Sequence, residues 1–113
     1  MRPIDISIVV PLYNEEAVFD TLIQRLTKVM DQAKFSCEVL LINDGSIDKT
    51  DQLIEKICEK DARFMGVLLS RNHGHQLAVS AGLAHARAKQ GVLIIDGDLQ
   101  DPPELIVDFY ELL

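Results

Sequence analysis

Apolar residues fall in four short continuous runs, and amphipathic stretches separate them. Ile4 to Val10 is dominated by Ile and Val and ends at Pro11, which predicts a first strand. Val18, Leu22, Leu26 and Val29 then recur at helical spacing with Phe19, Ile23 and Met30 beside them, so a helix follows. Asn14 reads as its N-cap, with Glu15 and Glu16 in the first turn, where acids are favoured. Val39 to Ile42 is a second strand, closing on Asn43-Asp44-Gly45-Ser46. Asp48 reads as the next N-cap, with Asp51 three positions on, and Leu53, Ile54, Ile57 and Cys58 supply the buried face of a second helix. Met65 to Leu69 is a third strand, ending at Ser70-Arg71-Asn72. Gly74 to Lys89 predicts a third helix, rich in alanine, whose small side chains let it lie close against a sheet. Gly91 breaks it, and Val92 to Ile95 is the fourth strand. Pro102 and Pro103 then block further strand pairing and can open a new helix.

The order β-α-β-α-β-α-β with continuously apolar strands predicts an α/β domain. Strands of that kind are buried on both faces, which implies a mostly parallel, Rossmann-like sheet with helices on both sides and right-handed crossovers. Ligands of such sheets sit at the carboxyl ends of the strands. All the polar clusters fall there: Pro11 to Glu15, Asn43 to Ser46, Arg71 to His75, and Asp96 to Gln100. No repeat, low-complexity segment or linker interrupts the pattern. The chain stops at Glu111-Leu112-Leu113, inside the last predicted helix, which reads as a cut.

A length of 113 residues suits one domain with a modest core. Apolar content of 48% and charged content of 26% describe a globular chain rather than a disordered one. The net charge of -7 argues against nucleic acid or an anionic membrane surface as partner. It also requires any phosphate ligand to arrive with a cation or to find a local positive field. No apolar run approaches the ~20 residues of a membrane helix, and the N-terminus shows no signal-peptide pattern, because Asp5 interrupts a short strand-like segment. Cys37 and Cys58 match no zinc spacing and read as free, reduced thiols of a cytoplasmic domain.

The chemistry concentrates in Asp96-Gly97-Asp98-Leu99-Gln100. Alternate residues of an extended segment point the same way, so Asp96 and Asp98 are expected to aim at one spot, with Gln100 behind them. Hard oxygen donors of this kind suit Mg²⁺ or Mn²⁺. Gly97 gives a bulky ligand room to approach the backbone. A calcium hand is excluded, because Asp101 and Val107 stand where Gly and Glu are needed, and a frame from Asp44 places Lys49 at the glycine. Asn43-Asp44-Gly45-Ser46 is either a ligand loop or a turn into a capped helix. Arg71 is either a diphosphate partner or a surface charge. His73 and His75 have no third metal ligand near and read as loop histidines; His85 reads as structural. No Gly-x-Gly-x-x-Gly follows the first strand and no Gly-Lys-Ser/Thr is present, which disfavours dinucleotide and P-loop binding.

Four motifs in order, Val9-Val10-Pro11-Leu12-Tyr13-Asn14-Glu15-Glu16, Asn43-Asp44-Gly45-Ser46, Ser70-Arg71-Asn72-x-Gly74 and Asp96-Gly97-Asp98-Leu99-Gln100-Asp101-Pro102-Pro103-Glu104, resemble family-2 glycosyltransferases. The likeness is to the dolichol-phosphate mannosyltransferase and bacterial polyprenyl-phosphate glycosyltransferase branch. It implies that residues 1–113 are the nucleotide-diphospho-sugar-binding part of a GT-A fold, with the acceptor-binding half expected beyond them. It further implies that Pro11, Leu12, Tyr13 and Glu15 wrap the nucleoside and that Asp44 reads the base. Arg71, Gly97 and Asp98 would serve the diphosphate. Asp96, Asp98 and Gln100 would hold the divalent metal, the two carboxylates being the catalytic pair. Asn43 stands where the family more often has Asp, and His73 and His75 replace more usual aromatic and basic residues.

The reaction so implied passes a sugar, with inversion, from a UDP- or GDP-sugar to an acceptor such as a polyprenyl phosphate, at the cytoplasmic face of a membrane. An anionic acceptor of that kind needs no strong general base. The segment alone is expected to self-associate through the apolar residues Leu105 to Leu113 and to transfer no sugar. A nucleotidyltransferase would carry a Gly-rich basic loop after the first strand, the opposite of Pro11-Leu12-Tyr13-Asn14-Glu15. A receiver-like regulatory domain would need a lysine on a later strand.

Overall fold

The computed structural model describes residues 3–100 and 102–113. Strands and helices alternate: β1 (Ile6–Leu12), α1 (Glu16–Gln32), β2 (Cys37–Asp44), α2 (Thr50–Lys60), β3 (Phe64–Leu69), α3 (His75–His85), β4 (Gly91–Ile94) and α4 (Leu105–Glu111). The strands form one sheet in the order β3-β2-β1-β4, and every pairing is parallel.

The period of two along the central strands sorts the core into two layers. Ile8, Val10 and Leu12 of β1 and Val39 and Leu41 of β2 pack with Phe19, Leu22 and Leu26 of α1, Ile54 of α2 and Ile106 of α4. Val9, Leu40 and Ile42 point the other way, onto Ala78 of α3. Helices therefore cover both faces. The Phe35 and Tyr110 rings stack with centroids 3.9 Å apart, which binds α4 to the turn after α1. Gly82 sets the spacing of α3 on the sheet, since a Cβ there would stand 2.3 Å from Val9 Cγ1. The small residues of this helix do permit close approach.

Burial on both faces holds for β1 and β2 only. β3 alternates buried and more exposed positions and β4 is half-buried to exposed, because both are edge strands. Their continuous apolar composition concealed that position. The predicted first strand, Ile4 to Val10, lies two residues early; pairing with β2 carries it through Pro11 and Leu12, in register with Ile42 and Asn43. The predicted fourth strand also ends earlier than expected, at Ile94, although the Ile95 N–H still donates to Val9 O. The predicted third helix, Gly74 to Lys89, stops at His85. Ala86 is extended, and the following turn is tied to the sheet by the Ala88 N–H to Ser7 Oγ (3.0 Å) and the Arg87 N–H to Glu38 Oε2 (2.7 Å). Of the predicted buried face of α2 only Ile54 is fully buried; Leu53, Ile57 and Cys58 pack against the core at its edge.

Candidate functional site

The polar clusters stand where a parallel sheet places a ligand, at the carboxyl ends of its strands. Three of the four loops are laced together. From the loop after β1, the Asn14 N–H donates to Ser46 Oγ (2.9 Å) and Asn14 Oδ1 accepts the Ile47 N–H (2.9 Å). The Glu15 N–H donates to Thr50 Oγ1 (3.1 Å) and the Glu16 N–H to Asp48 Oδ2 (3.2 Å). The expected caps are thereby corrected. Asn14 has φ 54 and lies before the Glu15 cap position, so its side chain serves the neighbouring loop instead of α1. Asp48 precedes the Lys49 cap position of α2; Oδ1 accepts the Thr50 N–H (2.9 Å), while Oδ2 caps α1 from across the gap.

The loop after β2 is joined in turn to the loop after β3. Asp44, 4% exposed, accepts the His73 N–H at Oδ1 (2.8 Å) and the Gly74 N–H at Oδ2 (3.1 Å). Gly45 has φ +72, and a Cβ there would stand 2.3 Å from the backbone of Arg71 and Asn72. The position therefore needs glycine for its dihedral and for the contact alike. Asn43 is buried and turns inward, Oδ1 accepting the Ser46 N–H (3.0 Å).

The loop after β4 faces this wall. Extended alternation does not continue through it: the chain turns at Gly97 and Asp98, and Leu99 adopts φ 68. Asp98 Oδ1 accepts the Gln100 N–H (3.1 Å), and the Gln100 side chain is exposed, outside the cleft lining. Asp96 and Asp98 both line the cleft nonetheless. Gly97 also lines it, but its lack of a side chain is taken up by the protein. A Cβ there would meet Leu12 Cδ2 at 2.2 Å, so glycine is required for packing against the end of β1. Asp101 lies outside the described residues.

Between wall and loop lies a cleft of about 500 Å³. Pro11, Leu12, Tyr13, Glu15, Asp44, Gly97 and Asp98, all expected at the site, line it together with Asp96. Arg71 does not; it is exposed and contributes backbone to the contact with Gly45. Asn72, Gly74 and His75 complete the lining. His75, read from sequence as an ordinary loop histidine, has Nε2 3.9 Å from Asp96 Oδ1. Its place at the start of the third helix, directly after the loop at the carboxyl end of β3, was the available signal. His85 lies away from the cleft and is exposed, its Nδ1 2.8 Å from Ala81 O.

The electrostatics of the cleft are anionic. Burial, and then the negative charges of Asp98, Asp48 and Asp96, push the Glu15 carboxyl above its ordinary range. Among the described residues no three His, Cys, Asp or Glu side chains form a group that could by itself hold a metal ion. The two carboxylates that line the cleft, Asp96 and Asp98, fit another arrangement, in which Mg²⁺ or Mn²⁺ takes one or two protein carboxylates and completes its shell with substrate phosphates and water.

This parallel α/β sheet, with an acidic cleft at its strand ends, is the Rossmann-like sheet of the GT-A glycosyltransferases on which it superposes. Residues 7–113 match glycosyl transferase family 2, and the chain belongs to that family. It is 46% identical over 110 residues to the uncharacterized glycosyltransferase YkcC of Bacillus subtilis (strain 168), covering 97% of this chain and 34% of the relative. It is 42% identical over 102 residues to the undecaprenyl-phosphate 4-deoxy-4-formamido-L-arabinose transferase of Aeromonas hydrophila, covering 89% of this chain and 31% of that protein. Among solved structures, S. aureus TarS 1-349 in complex with UDP superposes with a TM-score of 0.71 at 29% identity, over 84% of this chain and 28% of that one. The chain thus spans about a third of the length of the curated relatives it matches.

Proposed function

We propose that this chain is the donor-binding part of an enzyme that transfers a sugar, with inversion, from a UDP- or GDP-sugar to a polyprenyl phosphate. The observation that carries the reading is the cleft itself. Asp44 and Tyr13, at the ends of neighbouring strands, and Asp96 and Asp98, in the loop after β4, line one cleft, which supports assigning the nucleoside to the first pair and its diphosphate to the second. Pro11, Leu12, Tyr13 and Glu15 enclose the nucleoside and Asp44 reads the base. Asp96 and Asp98 are the catalytic pair that would hold Mg²⁺ or Mn²⁺ for the diphosphate, with Gln100 as the further ligand the motif offers. Arg71 and Gly97 serve the phosphate side, Arg71 by a swing of its exposed side chain.

A metal held by Asp96 and Asp98 would supply charge stabilisation to the leaving nucleoside diphosphate. The chain's own task is to orient the donor: Asp96 and Asp98 fix the diphosphate end, and the laced loops after β1, β2 and β3 fix the nucleoside end. Attack by an acceptor phosphate oxygen on the anomeric carbon forms the new glycosidic bond as the bond to the diphosphate breaks. Such an oxygen is already anionic, so no base in this chain needs to remove a proton. The named undecaprenyl-phosphate transferase at 42% identity supports the polyprenyl acceptor, and the UDP complex at 29% identity supports the nucleotide.

A lipid acceptor places the whole enzyme at the cytoplasmic face of a membrane, working on the cell envelope. Among the described residues no helix is long and apolar enough to cross one. The 113 residues bind donor without transferring sugar. They self-associate through α4 and the two residues after it, where Leu105, Val107, Leu112 and Leu113 are exposed.

Titration calorimetry tests the reading. UDP or GDP should bind in the presence of Mn²⁺, and a chelator or Asp98→Asn should weaken binding at least ~tenfold, the loss of roughly one charge-assisted contact. Binding unchanged by the chelator would reject the metal assignment. Turnover of a UDP- or GDP-sugar onto a polyprenyl phosphate by the 113 residues alone would reject the division of labour.

A further inference from the structure

The Asp44 carboxylate has a second task besides the one proposed for it. We infer that Asp44 is a positioning residue that ties the loop between β3 and α3, and with it His75, into the wall of the cleft. Residues Arg71 to Leu77 are all exposed, so no buried side chain anchors this stretch. What holds it is polar and comes from beneath. Asp44, at the last position of β2, accepts the His73 N–H at one oxygen (2.8 Å) and the Gly74 N–H at the other (3.1 Å). Two successive backbone N–H groups thus converge on one anion. Gly74, at φ +92, supplies the left-handed backbone at this point, with nothing within 4 Å of where a Cβ would stand. Asn72 Oδ1 shares the Gly74 N–H (3.0 Å).

The contact is directional. The backbone of Arg71 and Asn72 rests on Gly45, next to Asp44, where a Cβ would overlap it at 2.3 Å. α3 begins immediately afterwards with His75, whose Nε2 stands 3.9 Å from Asp96 Oδ1. The carboxylate therefore sets how far this part of the wall stands from Asp96. An ionised carboxylate has about four lone-pair directions, and two N–H groups leave room for a base N–H as well. Holding the loop and reading the base are separable: the first acts on every nucleotide, the second on some of them.

The nucleotide arm of the test rests on the proposed function, and the amide arm does not. NMR hydrogen exchange on the chain, wild type against Asp44→Asn and Asp44→Ala, reads the tie directly. In the wild type the His73 and Gly74 amides should be protected and shifted downfield by the carboxylate. Asn has a single side-chain acceptor, and its NH₂ would face one of these donors, so both variants should exchange there at least ~tenfold faster, equivalent to one lost charge-assisted bond. The Val9 amide in the central strand should stay protected, which separates loop release from unfolding. With Mn²⁺ present, UDP, GDP, ADP and CDP should all bind the Asp44→Ala chain more weakly. Unprotected His73 and Gly74 amides in the wild type would overturn the inference. So would unchanged exchange in a variant that keeps Val9 protected, or an affinity loss confined to UDP and GDP. If no diphosphate binds the wild type, the proposed function fails while the amide arm still decides this one.

Discussion

The Glu38 carboxylate, buried on β2, is clamped by Arg87, 49 positions later in the turn between α3 and β4. The Arg87 N–H donates to Oε2 (2.7 Å) and its Nε to Oε1 (2.9 Å), while the Ser7 hydroxyl donates to Oε2 (2.6 Å). The cluster lies on the same side of the sheet as α3, at the end of the strands opposite the cleft. It fixes the far end of the helix whose near end lines the site.

That clamp makes stability depend on pH in a stated direction. Burial alone would raise the Glu38 carboxyl; the bonds from Ser7 and from the Arg87 N–H and guanidinium overcome it and hold the group below its ordinary range. A carboxyl whose folded pKa is depressed contributes stability above its unfolded value of about 4.3 and loses it as pH falls through the folded value. Glu38→Gln should cost about 1–3 kcal/mol at pH 7. The half-exposed Arg87 is left solvated, which keeps the cost from running higher. Chemical denaturation of both chains from pH 7 to pH 3 should show the gap closing on the acid side. A gap that stays constant would mean that Glu38 contributes by packing alone.

Gly82 is required by contact rather than by dihedral. A methyl group there would stand 2.3 Å from Val9 Cγ1 and 3.3 Å from Ile42 Cγ1, both in the buried layer under α3. Overpacking costs about 1–3 kcal/mol, and alanine recovers up to about 1 kcal/mol of helix propensity. Gly82→Ala should therefore destabilise by up to about 2 kcal/mol, and Gly82→Val by more. A midpoint of Gly82→Ala at or above the wild type in urea would show that α3 can shift outward freely.

Asp48 serves two helices, bonding the Thr50 N–H of α2 and the Glu16 N–H of α1. Burial would raise its carboxyl, yet its bonds from Thr50 and Glu16 hold it below the ordinary range. Asp48→Ala removes both acceptors and should cost about 1–2 kcal/mol, as lost helix caps do. For a chain of this size that is a fall of roughly 4–8 °C in thermal midpoint. Asp51→Ala, in the first turn of the same helix, is the control and should shift the midpoint little.

Much of this fold was legible because β1 and β2 are central strands, and an unbroken apolar run is what burial on two faces requires. The same run misdescribed β3 and β4, since composition carries no sign of which strand lies at an edge. The clusters of the site were legible as groups, because each follows a strand. Their internal bonds were not. Asn14 and Asp48 have the chemistry of caps, and local rules assigned them to the helices that follow; their actual partners include Ile47 and Glu16, in other loops. Glu38 lies one position before the expected second strand, Val39 to Ile42; the strand in fact starts at Cys37, which buries Glu38 and brings it to Arg87, a pairing 49 positions apart that no local rule reaches.

The last prediction concerns the base. Asp44 ends β2 beside Leu12 of β1, which leads into Tyr13 and Glu15, and all four residues line the cleft. An ionised carboxylate only accepts hydrogen bonds. Uracil and guanine carry a ring N–H on the pairing edge, whereas unprotonated adenine and cytosine carry an acceptor nitrogen there, which would face the carboxylate in repulsion. A buried mismatch of this kind costs about 1–3 kcal/mol, or roughly tenfold to a hundredfold in affinity. UDP and GDP should therefore bind the wild type better than ADP and CDP with Mn²⁺ present. Because Asp44 also holds the His73–Gly74 backbone, Asp44→Ala should lower all four affinities and at the same time bring them together. Side-by-side titration of the four diphosphates on both chains separates these effects. A uniform loss with the ranking preserved would leave Asp44 as a support for the loop and remove it from base recognition. ADP binding the wild type as tightly as UDP and GDP would lead to the same conclusion.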